Sequence, residues 1–163
     1  MMKLTPTIKG LLTAVAMIAV GLILYFKNVS PTSSLMFISY FLYGLGIVWA
    51  IFPVAKQNSK LSFGTLFNAG FKCFIVVTLF MALYTFTFYK ANPKLIEEKA
   101  ALTKTELLKT EKNRTPAEID TMIENGKKNF AVLATSVSIF QYLLVGAIVT
   151  AATAGMLSLS NKK

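Results

Sequence analysis

Apolar residues in this chain are gathered into four long blocks, separated by two short polar connections and one long charged one. An α-helix needs about 20 mostly apolar residues to cross the hydrocarbon layer of a bilayer, and each block meets that requirement. The first covers residues 8–26, with Lys9 at an edge from which its ammonium can extend to the interface. The second covers residues 35–55, carries no charge, and holds Pro53 in its last turn, where a proline is well tolerated. The third covers residues 63–89. Its start, up to residue 71, is mixed enough to lie along the interface before the chain enters hydrocarbon, and Tyr84, Phe86, Phe88 and Tyr89 form an aromatic belt near its far end. The fourth covers residues 130–158. Ser30-Pro31-Thr32-Ser33-Ser34 predicts a turn and helix caps between the first two blocks, and residues 56–60 a short polar link between the next two. The pattern predicts an all-α polytopic membrane protein with four transmembrane helices.

Residues 90–129 have a different pattern, with charges of both signs and few aromatics. Asn92-Pro93 fits a helix N-cap followed by proline at the first helical position. Thr115-Pro116-Ala117-Glu118 fits a capping box, in which the threonine oxygen accepts from the Glu118 amide and the Glu118 carboxylate reaches back. Ile119, Met122, Ile123 and Phe130 recur at helical spacing. This segment is therefore read as an exposed amphipathic helical insertion between spans three and four, resting on the membrane surface. Its second helix runs into span four, with Asn125-Gly126 as a point where it can break.

Composition sharpens this picture. More than half of the 163 residues are apolar, more surface than a soluble domain of that size can hide. The net charge of +10 suits nucleic acid or anionic lipid. However, the lysines flank apolar blocks, and no basic stripe is interleaved with exposed aromatics, so nucleic acid is not an expected partner. The bilayer itself is. All seven acids lie between Glu97 and Glu124. Four spans place both termini and the 56–60 link on one side, with Lys3, Lys9, Lys56, Lys60, Lys162 and Lys163 and no acid. The long connection holds nine basic residues, more than that side, but they are mixed with all seven acids and can pair along its helices. The uncompensated lysines in short segments favour cytoplasmic termini. The first block ends in Lys27-Asn28-Val29-Ser30-Pro31 without a small-x-small site, so it reads as a retained span.

Span four is rich in small residues. Ala147, Ala151 and Gly155 recur at four-residue spacing, as do Gly146, Thr150 and Ala154, and Gly46 with Ala50 forms a shorter version in span two. Such faces let helix backbones approach closely in lipid. Gly146, Ala147, Ala151 and Gly155 are therefore candidate helix-packing residues, for contacts within the chain, in a homo-oligomer or with another membrane protein.

Few residues could carry chemistry. Lys72 is the one charged group that could lie well inside a span. A charge at mid-bilayer costs about 3 kcal/mol, so a deep Lys72 would point to an anionic substrate or lipid headgroup. The structural alternative is a lysine near the interface, beside Asn68 and Gly70, that extends to water. Gln141, with Ser136 and Ser138, could line a polar path or make interhelical hydrogen bonds. Trp49 reads as an interface anchor or packing residue. Cys73 is the lone cysteine and reads as a small buried hydrophobe. Glu97, Glu98, Glu106 and Glu111, with Lys99, Lys104, Lys109 and Lys112, could form a metal or docking site or simply a solvated face. No span contains Asp, Glu or His, which proton-coupled transporters generally use. No catalytic pair, metal-ligand cluster or phosphate loop is recognisable. The expectation is a non-enzymatic protein without a cofactor.

The order of features resembles a family of short four-span bacterial membrane proteins, domain of unknown function 4199. The resemblance lies in Ser62-Phe63-Gly64 and Gly70-Phe71 opening span three, then Asn92-Pro93. It continues through Thr115-Pro116-Ala117-Glu118-Ile119 to a last span ending in Ser158-Leu159 and lysine. It covers nearly the whole chain. The sequence departs from the family pattern in lacking a glycine just before Thr115 and a proline-containing link between Phe130 and span four. The resemblance implies an inner-membrane protein of Gram-negative bacteria with an exposed helical segment, and no known activity or site. The leading expectation is thus a helix-packing or interaction protein. A transporter or channel for an anionic or amphipathic solute, with Lys72 in its path, is the alternative, and a lipid-acting enzyme comes third.

Overall fold

The computed structural model describes residues 4–29, 35, 37–57, 62–111 and 113–160. The predicted 30–34 turn, most of the 56–60 link, Lys112 and the terminal lysines Lys3, Lys162 and Lys163 lie outside these residues. The described residues form five helices and no strand: α1 (Pro6–Phe26), α2 (Phe37–Gln57), α3 (Phe63–Ala91), α4 (Pro93–Thr110) and α5 (Pro116–Ser160). Helices α1, α2, α3 and α5 are each long and apolar enough to cross a membrane. The chain is a polytopic all-α membrane protein.

The helix ends obey local chemistry. Thr5 caps α1 by accepting from the Ile8 amide at 3.3 Å, with Pro6 at the first helical position. The C-terminus of α1 closes with Asn28 at φ 50°, in the left-handed region. The Val29 amide then bonds the Leu24 carbonyl and the Asn28 amide that of Tyr25, the pattern of a Schellman cap. The capping box forms at the start of α5: the Glu118 amide donates to Thr115 Oγ1 at 3.3 Å, and Thr115 N donates to Glu118 Oε2 at 2.7 Å. The Thr115 amide and the Thr115 hydroxyl, at 3.0 Å, both donate to the carboxylate, so the Glu118 pKa is lowered from its ordinary value.

Asn92 is the N-cap residue of α4, with Pro93 at the first helical position, as the sequence predicts; its side chain makes no cap bond, and the side-chain amide donates to the Phe88 carbonyl at 2.8 Å, at the end of α3. Two sequence expectations are corrected. The mixed start of span three is continuous with the rest of α3, and its Leu66, Ala69 and Gly70 are buried in helix packing. Helix α5 runs through Asn125-Gly126 without a break, for 45 residues. That is more than twice the length needed to cross hydrocarbon.

The chain divides into two compact units. One comprises residues up to Met81 together with those from Ile139 onward, and the other Ala82–Ser138. In the first, each helix buries one stripe. Helix α1 buries Gly10, Thr13, Ala14 and Met17, and α3 buries Gly70, Cys73, Phe74, Val77 and Thr78. Helix α2 buries Tyr43, Ile47, Ala50 and Ile51, and α5 buries Tyr142, Gly146, Thr150 and Ala154. Large apolar side chains such as Val15, Phe41, Leu79, Ile148 and Met156 point outward, as expected where lipid is the solvent.

One glycine from each of these helices allows the close approaches. A Cβ at Gly10 would lie 2.6 Å from the Cys73 carbonyl oxygen and 3.2 Å from its Cα. One at Gly46 would collide with Thr13, one at Gly70 with Thr150 and Ile51, and one at Gly146 with Tyr43 and Phe74.

In the second unit, α4 buries no residue fully, whereas Ile119 and Ala131 of α5 are buried. Tyr89 and Phe130 pack edge to face at 5.0 Å. The ion pairs Lys104–Asp120, Arg114–Glu111 and Lys127–Glu124 are solvent-exposed and contribute at most about 1 kcal/mol each.

Gly10→Ala should destabilise the protein by about 1–3 kcal/mol, because the obstructing atoms are backbone and cannot rotate aside. Gly126→Ala, with nothing within 4 Å of the added carbon, should be neutral or stabilise by up to about 1 kcal/mol through helix propensity. Equilibrium unfolding in detergent measures both; equal effects would contradict the packing described.

Candidate functional site

Pro53, expected in the last turn of its span, lies inside α2, which continues to Gln57; having no amide hydrogen, it leaves the carbonyl one turn earlier, that of Trp49, without its helical donor. The donor comes from α1. Lys9 Nζ lies 2.9 Å from the Trp49 carbonyl oxygen and 5.0 Å from the centroid of the Trp49 ring. Only 5 % of Lys9 is accessible. The ammonium thus combines a charge-assisted hydrogen bond with a cation–π contact. Membrane helices tolerate proline where a neighbouring helix re-satisfies the freed backbone group, and Lys9 does so here.

The surroundings fix Lys9 in place. It lies one turn inside α1, behind the Thr5 cap and Pro6. Thr13 Oγ1 donates to the Lys9 carbonyl at 2.8 Å, and Thr13 is the residue against which Gly46 of α2 packs. On the next face, Gly10 meets the backbone of Cys73, whose buried thiol lies 3.7 Å from the Gly46 carbonyl. Three helices therefore converge within two turns. The sequence expectation that Lys9 extends to the interface is corrected: its ammonium is turned inward, onto α2. The legible signal was Pro53, which announces an unsatisfied carbonyl at position 49. Which side chain answers it depends on how α1 docks, and the sequence does not state that.

A second polar contact joins α2 to α5. Tyr43 is fully buried; its hydroxyl donates to the Tyr142 carbonyl at 2.8 Å, and the two rings meet edge to face at 5.5 Å. Gly146 clears the path, since a side chain there would strike the Tyr43 hydroxyl. Buried Thr150 Oγ1 has no hydrogen-bond partner among the described residues.

The other candidate residues are dispersed. Lys72 is exposed, on the outer face of α3 with Asn68, Ile75 and Leu79. Gln141 is exposed and accepts from the Tyr40 hydroxyl at 3.2 Å. The hydroxyls of Ser136 and Ser138 turn back onto their own helix, to the carbonyls of Val132 and Ala134. Gly146 is buried, Ala147 half-buried and Ala151 exposed, and Gly155 is half-buried with open space over its Cα. The buried edge of α5 is thus the 146, 150, 154 stripe, while the 147, 151, 155 stripe faces partly outward. Trp49 is partly exposed, with its carbonyl engaged by Lys9. Glu97 and Glu98 are exposed, and no group of three or more acid, histidine or cysteine residues able to hold a metal occurs among the described residues. Lys99, in the second unit, is half-buried: its Nζ donates to the Tyr89 hydroxyl at 3.0 Å and lies over the rings of Tyr89 and Phe130.

Compared with known families, residues 9–158 match the one described as protein of unknown function (DUF4199). No curated protein and no solved structure matches the chain.

Lys9→Met should destabilise the protein by about 1–3 kcal/mol, the cost of an unpaired buried acceptor. In a Pro53→Ala background the restored amide can serve Trp49, and the same lysine substitution should cost much less. A double-mutant cycle in detergent unfolding measures this coupling, and additive effects would contradict the assignment.

Proposed function

This chain belongs to DUF4199, a family of proteins of unknown function, and on its geometry we propose that it is a non-enzymatic interaction protein whose last span associates with a second copy or another membrane protein. The carrying observation is the division of labour on α5. The 146, 150, 154 stripe is consumed inside the chain, while Ala151 is exposed and Gly155 has open space above it. In lipid, small residues of this kind are where a second helix can come closest. The partly charged α4 and the start of α5 offer further polar surface for a partner.

The alternative, a channel or transporter for an anionic or amphipathic solute, required Lys72 in the path. Its exposed position beside Ile75 and Leu79 lends that reading no support. The proposed location is the bacterial inner membrane with both termini in the cytoplasm, on the strength of uncompensated lysines in the short segments of that side. Reporter fusions at each terminus test this orientation; a periplasmic signal from either would reverse it.

Crosslinking in native membranes should trap a dimer or a co-purifying protein. Gly155→Leu should reduce it by about tenfold, the effect of losing roughly 1.4 kcal/mol of contact, without lowering unfolding stability. Monomer alone, or crosslinking indifferent to Gly155→Leu, would count against the proposal.

A further inference from the structure

Within the second unit, α4 and the first part of α5 flank an open-sided groove of about 230 Å3. Its walls are apolar: Ile96 and Leu107 from α4, Met122 and Ile123 from α5. Gly126 forms part of the lining, and a Cβ there would meet nothing within 4 Å. The groove exists in part because that position has no side chain. Two ammonium groups, Lys99 and Lys127, also line it.

We propose that this groove binds the chain of a long-chain fatty acid, with the carboxylate held between Lys99 and Lys127. Size and charge support this together. The space exceeds the ~150 Å3 cavity that accepts benzene and falls below the roughly 300–1,000 Å3 of pockets for drug-sized ligands. It therefore takes part of one long acyl chain, whose far end extends beyond the groove, and has no room for the paired chains of a phospholipid. Apolar walls with two cations select an anionic amphiphile over a neutral one.

Both lysines have partners already. Lys99 donates to the Tyr89 hydroxyl, and Lys127 pairs with Glu124 at 3.2 Å. Each ammonium has three donors, so both retain capacity for a carboxylate. Lys99 is also held over two rings, at 5.1 and 5.6 Å from their centroids, which limits the freedom it must lose on binding. Tyr89 belongs to the aromatic cluster at the end of α3, a residue class that marks the headgroup level of a bilayer. A fatty acid partitioned into the membrane presents its carboxylate at that level.

This binding does not depend on self-association, and a monomeric chain would show it equally. The test uses the full chain in phosphatidylcholine nanodiscs with a photoreactive diazirine fatty acid. Crosslinks should map to residues 96–107 and 122–130. Oleate should compete about tenfold better than oleyl alcohol of equal length. Gly126→Leu, which fills the groove, should reduce labelling by about tenfold or more while unfolding stability is retained. If that variant fails to fold, Lys99→Gln with Lys127→Gln should weaken competition by oleate and leave that by the alcohol unchanged. Labelling confined to the spans, equal competition by the alcohol, or displacement by phosphatidylglycerol as effective as by oleate would each overturn the proposal.

Discussion

Helices that are already surrounded by hydrocarbon gain little by hiding apolar side chains against each other, so what holds them is the closeness of their contact. The four spans of this chain meet that constraint with one glycine each. Gly10 brings α1 onto the backbone of α3, Gly46 receives Thr13, Gly70 receives Thr150 and Ile51, and Gly146 receives Tyr43 and Phe74. Bulky residues then fill the spaces the glycines open. Dispersion forces fall away over fractions of an ångström, so these few positions control much larger side chains around them.

Close approach also brings polar groups within reach of neighbouring backbones. Gly146 admits the Tyr43 hydroxyl to the Tyr142 carbonyl, and the tight seam between α1 and α2 delivers Lys9 to the Trp49 carbonyl. A hydrogen bond to a charged donor is worth about 1.5–3 kcal/mol, more than the exposed ion pairs of the second unit. The packing and the polar contacts are one arrangement.

Much of the architecture was legible in the sequence because lipid imposes length and composition on each span. The four spans, the capping box at Thr115 and the helical 90–129 segment are set by local patterns. What was not legible depends on rotation of each helix about its axis. In sequence Lys72 is the lysine able to lie inside a span and Lys9 the one at an edge, yet Lys9 is buried against Trp49 and Lys72 is exposed. The two stripes of α5 have the same spacing, and only packing shows that residues 146, 150 and 154 face the other spans. Asn92 is the N-cap residue of α4 that its context predicts, but only the structure shows its side chain bonded back to the Phe88 carbonyl.

The contact between Lys9 and Trp49 has an evolutionary consequence. Positions 9 and 53 are joined through a carbonyl that belongs to neither of them, so no selection acts on a side-chain match between the two. Whether a lysine at 9 is useful is decided by whether the residue at 53 can donate. Lineages that replace the proline relax the requirement on the lysine, and those that keep it do not. The two columns of an alignment would then drift together, and an aromatic ring at position 49, which lies beneath the same ammonium, would be kept or lost with them.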